Sequence, residues 1–210
     1  MGKTRSMIDD EARSFIEAQH IFFVASAPLD VAGHGNLSPK GLDTFRILGP
    51  TTVAYVDFNG SGIETIAHLK ENGRIVLMFC AFQGPPNIFR LYGIGREVEP
   101  HQDEFADFAA NFPAYETMRS IIVVEISRVT DSCGYGVPRF KYEGEREQLS
   151  AWARKQGPEG LQAYRERKNR VSIDGLPGLS LHTRAVLEQT IHKPAVHKQD
   201  QKEDDRKEVV

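Results

Sequence analysis

The sequence predicts an α+β fold rich in strands, closer to a barrel than to a doubly wound parallel sheet. Three observations carry this expectation. Five or six apolar runs of strand length follow one another from Ile21 to Ile126, the helices between them are few and short, and the long connections that parallel crossovers require recur too rarely. With 210 residues, 40% hydrophobic and 26% charged, the chain reads as one domain with appendages, large enough to fold without disulfide staples.

The elements follow in order. Ile8, Ala12, Phe15 and Ile16 have the spacing of an amphipathic helix, with Ser6 as its expected N-cap. Ile21 to Ala25 is a strand, and Thr51 to Val56, Ile75 to Phe82 and Leu91 to Val98 continue the series. A helix from Gly62 to Asn72 is expected to start on a capping box of Ser61 and Glu64 and to end at Gly73. Asp103 to Asn111 is a second amphipathic helix, and Ile121 to Ile126 is apolar enough for a central strand. Beyond Cys133 the composition shifts to a charged helix, Trp152 to Lys168, then to the turn-rich Ile173 to Leu179.

Several segments carry candidate chemistry. In Gly35-Asn36-Leu37-Ser38-Pro39-Lys40-Gly41, one cation sits among small polar groups, a patch suited either to a phosphate or to a solvated turn. Asn59 to Thr65 opens a helix, whose free amides accept anions, although capping alone also accounts for the sequence. Gly93-Ile94-Gly95 lacks the third glycine and following helix of a dinucleotide site. The seven histidines show no zinc spacing, and His34 reads as a surface group or a polar member of a site. Arg165 to Arg170 reads as the solvated basic end of a helix, with phosphate contact as the alternative. Cys80 lies in an apolar run and Cys133 in a glycine-rich loop, consistent with reduced thiols in a cytoplasmic protein.

The order of these features resembles the FMN-binding split-barrel family related to pyridoxamine 5'-phosphate oxidase. The resemblance rests on Asn36 to Gly41, Val53 to Asn72, Gly73 to Phe79 and Leu91 to Gly95, and Cys133 to Pro138 extends it to an uncharacterised branch. It implies a six-stranded antiparallel split β-barrel with short flanking helices and a C-terminal helical extension, dimeric, with FMN at the subunit interface. Lys40 falls where the family places a flavin-contacting lysine, and Phe58 and Asn59 stand at an aromatic-hydroxyl pair without matching it. Glu64 and Thr65 occupy positions that carry an arginine and a lysine in the oxidase proper. Phosphate binding then leans on Lys40, Thr65, the helix amides and Arg90, a cation read from its place at the start of a strand.

The expected organisation is a split barrel over 1–138, an extension over 139–191 packing on barrel or dimer, and a disordered charged tail over 192–210. The expected function is an FMN-dependent oxidoreductase acting on a reaction other than pyridoxamine phosphate oxidation. Its cofactor-binding residues are Asn36, Ser38, Lys40, Phe58, Asn59, Thr65 and Arg90. The partners are a second copy of the chain and a small-molecule substrate or electron donor. A non-enzymatic carrier or sensor of flavin, deazaflavin or haem is the alternative. A net charge of -3 argues against nucleic acid or anionic membrane as partner. No stretch reaches the about 18 apolar residues of a membrane span, and the N-terminus lacks a signal-peptide core, so a cytoplasmic location is expected.

Overall fold

The computed structural model describes residues 2–180; the expected 192–210 tail and residues 181–191 of the expected extension lie outside them. Eight strands form one antiparallel sheet: β1 (Thr4–Arg5), β2 (Phe22–Ser26), β3 (Asn36–Lys40), β4 (Phe45–Ile47), β5 (Thr52–Phe58), β6 (Arg74–Cys80), β7 (Asn87–Val98) and β8 (Met118–Cys133). Seven of them follow the order β3-β2-β6-β7-β8-β5-β4, and β1 adds a two-residue pairing to β8. Six strands were expected. The strands the sequence did not place are the two-residue β1 and the pair β3 and β4, whose residues are mostly half-exposed and leave little apolar signal. Pro39 fits within β3 because this is an edge strand, where a missing N–H costs the ladder nothing.

The sheet curls into a split barrel. Phe22 on β2 and Phe45 on β4 lie far apart in strand order, yet their rings are 5.2 Å apart, and Phe45 meets Phe79 of β6 at 5.0 Å. The curl encloses a core of Val24, Val53, Tyr55, Leu77, Phe89, Ile122 and Val124. A second cluster lies on the other face, where Ala54, Val56, Ile121 and Val123 meet the segment around α3 (Phe105–Ala109). β5 and β8 are therefore buried on both faces there, which is why their sequences read as unbroken apolar runs rather than alternating ones. No helix among the described residues is long and apolar enough to cross a membrane.

Local signals were partly overruled by distant ones. Asp9, not Ser6, caps α1 (Asp10–Glu17), its carboxylate accepting from the Ala12 amide at 2.8 Å. The helix α2 (Glu64–Asn72) begins two residues later than expected, on the buried Ile63, without a side-chain cap. The preceding loop is held instead by Arg119 of β8, which donates to the carbonyls of Gly60 and Gly62 at 3.2 and 2.8 Å. The C-terminal end is as expected: Gly73 sits at φ 70° and its amide returns to Leu69 at 3.0 Å. Gly93, part of the rejected dinucleotide fragment, lies at a register shift in β7, where a Cβ would come within 2.2 Å of the Glu125 carbonyl oxygen.

The C-terminal segment folds back on the barrel. Its helix α4 (Gln148–Lys168) is interrupted at Gly157, φ 66°, with Pro158 opening the second stretch. From α4 and its end, Arg165 donates to Asn59 Oδ1 at 2.7 Å and Asn169 to the Gly60 carbonyl at 2.9 Å. Lys70 of α2 then holds the Gly178 carbonyl at 2.6 Å.

Candidate functional site

A cavity of 1060 Å³ opens where β2 begins and β3 and β5 end, and where the strap of residues 140–149 passes over them. It is lined by apolar and aromatic groups, among them Phe58, Phe82, Phe140 and Tyr142, with a few polar ones. The strap is fixed at two points. The Phe140 amide donates to the Phe82 carbonyl at 3.0 Å, and the Tyr142 ring stacks on His20 at 3.7 Å.

A charged cluster lies at one end of the cavity. Asp57 is 1% exposed and takes Arg119 Nε at 2.5 Å, Lys40 Nζ at 3.4 Å and Ser120 Oγ at 3.4 Å. Burial raises the Asp57 carboxyl, but Arg119 and Lys40 outweigh it and hold the group below the usual carboxylate range. Lys40 is thus a cation pinned at the cavity wall. Arg165 adds a third cation. It donates to Asn59 Oδ1 and, at 3.2 Å, to the Met118 carbonyl, while burial and then Arg119 pull its guanidinium below the ordinary value.

The seven residues singled out in the sequence fall into three places. Lys40, Phe58 and Asn59 line the cavity together. Asn36, Ser38 and Thr65 form a chain between β3 and α2, Asn36 Nδ2 donating to Thr65 Oγ1 at 2.9 Å and Ser38 Oγ to Asn36 Oδ1 at 3.3 Å, and none of the three lines the cavity. Arg90 is on β7, donating to Ser132 at 3.0 Å, also outside the lining. His34 is a surface group, its ring meeting Asp174 at 2.6 Å.

Sequence reasoning missed Asp57, Arg119 and the half-burial of Arg165. The available signal was a charged residue at the end of each of two apolar strands, Asp57 and Arg119, which burial tolerates only in a pair. Arg165 gave no such signal, since its partners are Asn59, just after β5, and Met118 at the start of β8. Cys80 is buried as expected, its thiol pushed up by burial, and Cys133 is exposed at the end of β8.

The arrangement suits a flat, largely apolar ligand that carries an anionic group. Sites for such small molecules occupy ~300–1,000 Å³, so the cavity has room for a multi-ring system. Lys40, Lys141 and Arg146 offer cations around it against the carboxylate of Glu145.

A family model and a curated relative point to one family. A family model described as pyridoxamine 5'-phosphate oxidase matches residues 8–133. The pyridoxamine 5'-phosphate oxidase family protein ustO of Aspergillus flavus is 38% identical over 189 residues, covering 82% of this chain and 76% of that one. Among solved structures, HupZ of Group A Streptococcus is 20% identical with a TM-score of 0.46, covering 59% of this chain and 92% of the other. An FMN-binding protein of Syntrophomonas wolfei is 20% identical with a TM-score of 0.43, covering 63% and 87%.

Proposed function

Since this chain belongs to the pyridoxamine 5'-phosphate oxidase family, we propose that it is an FMN-dependent oxidoreductase, passing electrons from a reduced small-molecule donor to an acceptor. The observation that carries this reading is the cavity, whose aromatic walls and pinned lysine fit the ring and the anionic chain of a phosphorylated flavin. Bound FMN supplies the electron-transfer chemistry, and the protein supplies binding, orientation and electrostatics.

The chain's own residues have distinct tasks. Phe58, Phe82 and Phe140 give apolar surface to a ring and exclude water from it. Asp57 holds the Lys40 ammonium in place, so that the lysine presents its charge with little side-chain entropy left to lose. Asn59, with Oδ1 occupied by Arg165, is oriented before any ligand arrives. Phe140 and Tyr142 of the strap and Tyr135 ahead of it remain 61%, 40% and 83% exposed, and a second copy of the chain covers this apolar rim in a homodimer.

The first test is the visible spectrum of the purified protein. A two-band flavin absorption, or its perturbation on adding FMN, is expected; absence of both sinks the reading. Bleaching of the bound flavin by a reduced nicotinamide then separates an oxidoreductase from a carrier. Lys40→Ala is expected to weaken FMN binding by about 1.5–3 kcal/mol, the worth of a charge-assisted hydrogen bond.

A further inference from the structure

The charged cluster beside the cavity is unbalanced. One carboxylate, Asp57, faces Arg119 and Lys40 together, so the three groups sum to a positive charge. Arg165 adds another, and its two hydrogen-bond acceptors, Asn59 Oδ1 and the Met118 carbonyl, are neutral. Among the described residues no carboxylate bonds to it, and Glu99, the carboxylate that acts on it from a distance, is taken up by Lys70 and the Ser180 amide. A part-buried cation with no bonded counter-charge is costly, and an anion arriving nearby offsets that cost. Of the three barrel residues that α4 and its end grip, Asn59 and Met118 through Arg165 and Gly60 through Asn169, Asn59 and Gly60 line the cavity. The excess charge therefore lies one side chain behind the cavity wall, at the end where Lys40 stands.

The opposite candidate for receiving an anion is weaker. The start of α2 carries the Glu64 carboxylate, and the Thr65 hydroxyl is buried and already accepts from Asn36.

We infer that Arg165, contributed by the C-terminal extension, is a positioning and charge-compensating residue for the anionic group of the cavity's ligand, fixing it at the Lys40–Asn59 end. This rests on the flavin reading in one respect: the anionic group is then the phosphate of FMN. Arg165 acts through Asn59 and through its charge, and the extension is in this way part of the site.

The test compares FMN with riboflavin, which lacks the phosphate, by flavin fluorescence titration of the wild type, Arg165→Gln and Arg165→Lys. Circular dichroism first checks that each variant is folded. Arg165→Gln is expected to lose about tenfold in FMN affinity while riboflavin binding holds, and Arg165→Lys to retain most of the FMN preference. A loss shared equally by both flavins marks a purely structural residue and overturns the inference, as does an unchanged FMN preference in Arg165→Gln. A wild type that binds neither flavin defeats the flavin reading instead. Thermal stabilisation by pyrophosphate in the wild type, missing in Arg165→Gln, then upholds the anion site, and its absence from both removes that as well.

Discussion

Asp57 shows what a single residue does in this chain. At 1% exposure it faces Arg119 and Lys40, and removing its charge leaves both cations without their shared partner. Asp57→Asn is expected to destabilise the fold by about 3–5 kcal/mol, measured by urea denaturation. Its pH dependence has a definite sign. The folded carboxyl titrates below the ordinary value of 3.8, so the unfolded chain binds the proton first. The stabilisation is complete above that value and is lost as pH falls through the lower folded-state value. The variant is expected to show a shallower decline of stability with acid in that window, and an unchanged slope would deny Asp57 its role. Lys40 was visible in the sequence as the lone cation of a polar segment, and Phe58 and Asn59 through their family positions. The pairing that gives Lys40 its fixed position was not visible. Asp57 meets Arg119 across 62 residues of chain, and Arg165 meets Asn59 across 106, separations over which no local pattern carries information.

At the level of elements, legibility followed burial. β5 and β8 were found because both faces are covered, and β3 was hidden because it is an edge with a proline and alternating exposure. The Ser61–Glu64 cap does not form: Arg119 holds the Gly60 and Gly62 carbonyls of the loop from another strand, and α2 starts beyond them on the buried Ile63. Glycines offer a test of which backbone positions matter. Gly73→Ala places a side chain at φ 70° with its Cβ 2.8 Å from the Ile94 Cγ2 methyl, which can shift, at a cost of about 1–2 kcal/mol. Gly93→Ala sets a Cβ 2.2 Å from the carbonyl oxygen of Glu125, which belongs to the paired strand and cannot move alone. Gly93→Ala is expected to lower the melting temperature more than Gly73→Ala does, and the reverse ranking would contradict the register at this bulge.

For the molecule as a whole, counting strands and short helices pointed to an α+β or barrel architecture and the family resemblance to the split barrel, whereas the way the extension closes on the cavity had no counterpart in the sequence pattern. The proposed dimer belongs to this scale: light scattering is expected to give twice the mass of the chain, with Tyr135→Asp shifting it toward the monomer, and a monomeric wild type would remove the rim's assigned partner. The sheet order has a consequence for how the molecule is made. β2 finds its inner neighbour only when β6 exists, and β5 pairs with β8 through Thr52 opposite Glu125. Pairings between such distant segments place this chain among slowly folding topologies, milliseconds to seconds rather than microseconds. During synthesis β5, apolar along nearly its whole length, waits beside a ribosome for a partner strand that has not yet been translated, and the interval in which aggregation competes with folding is set by the time needed to make the next 70 or so residues.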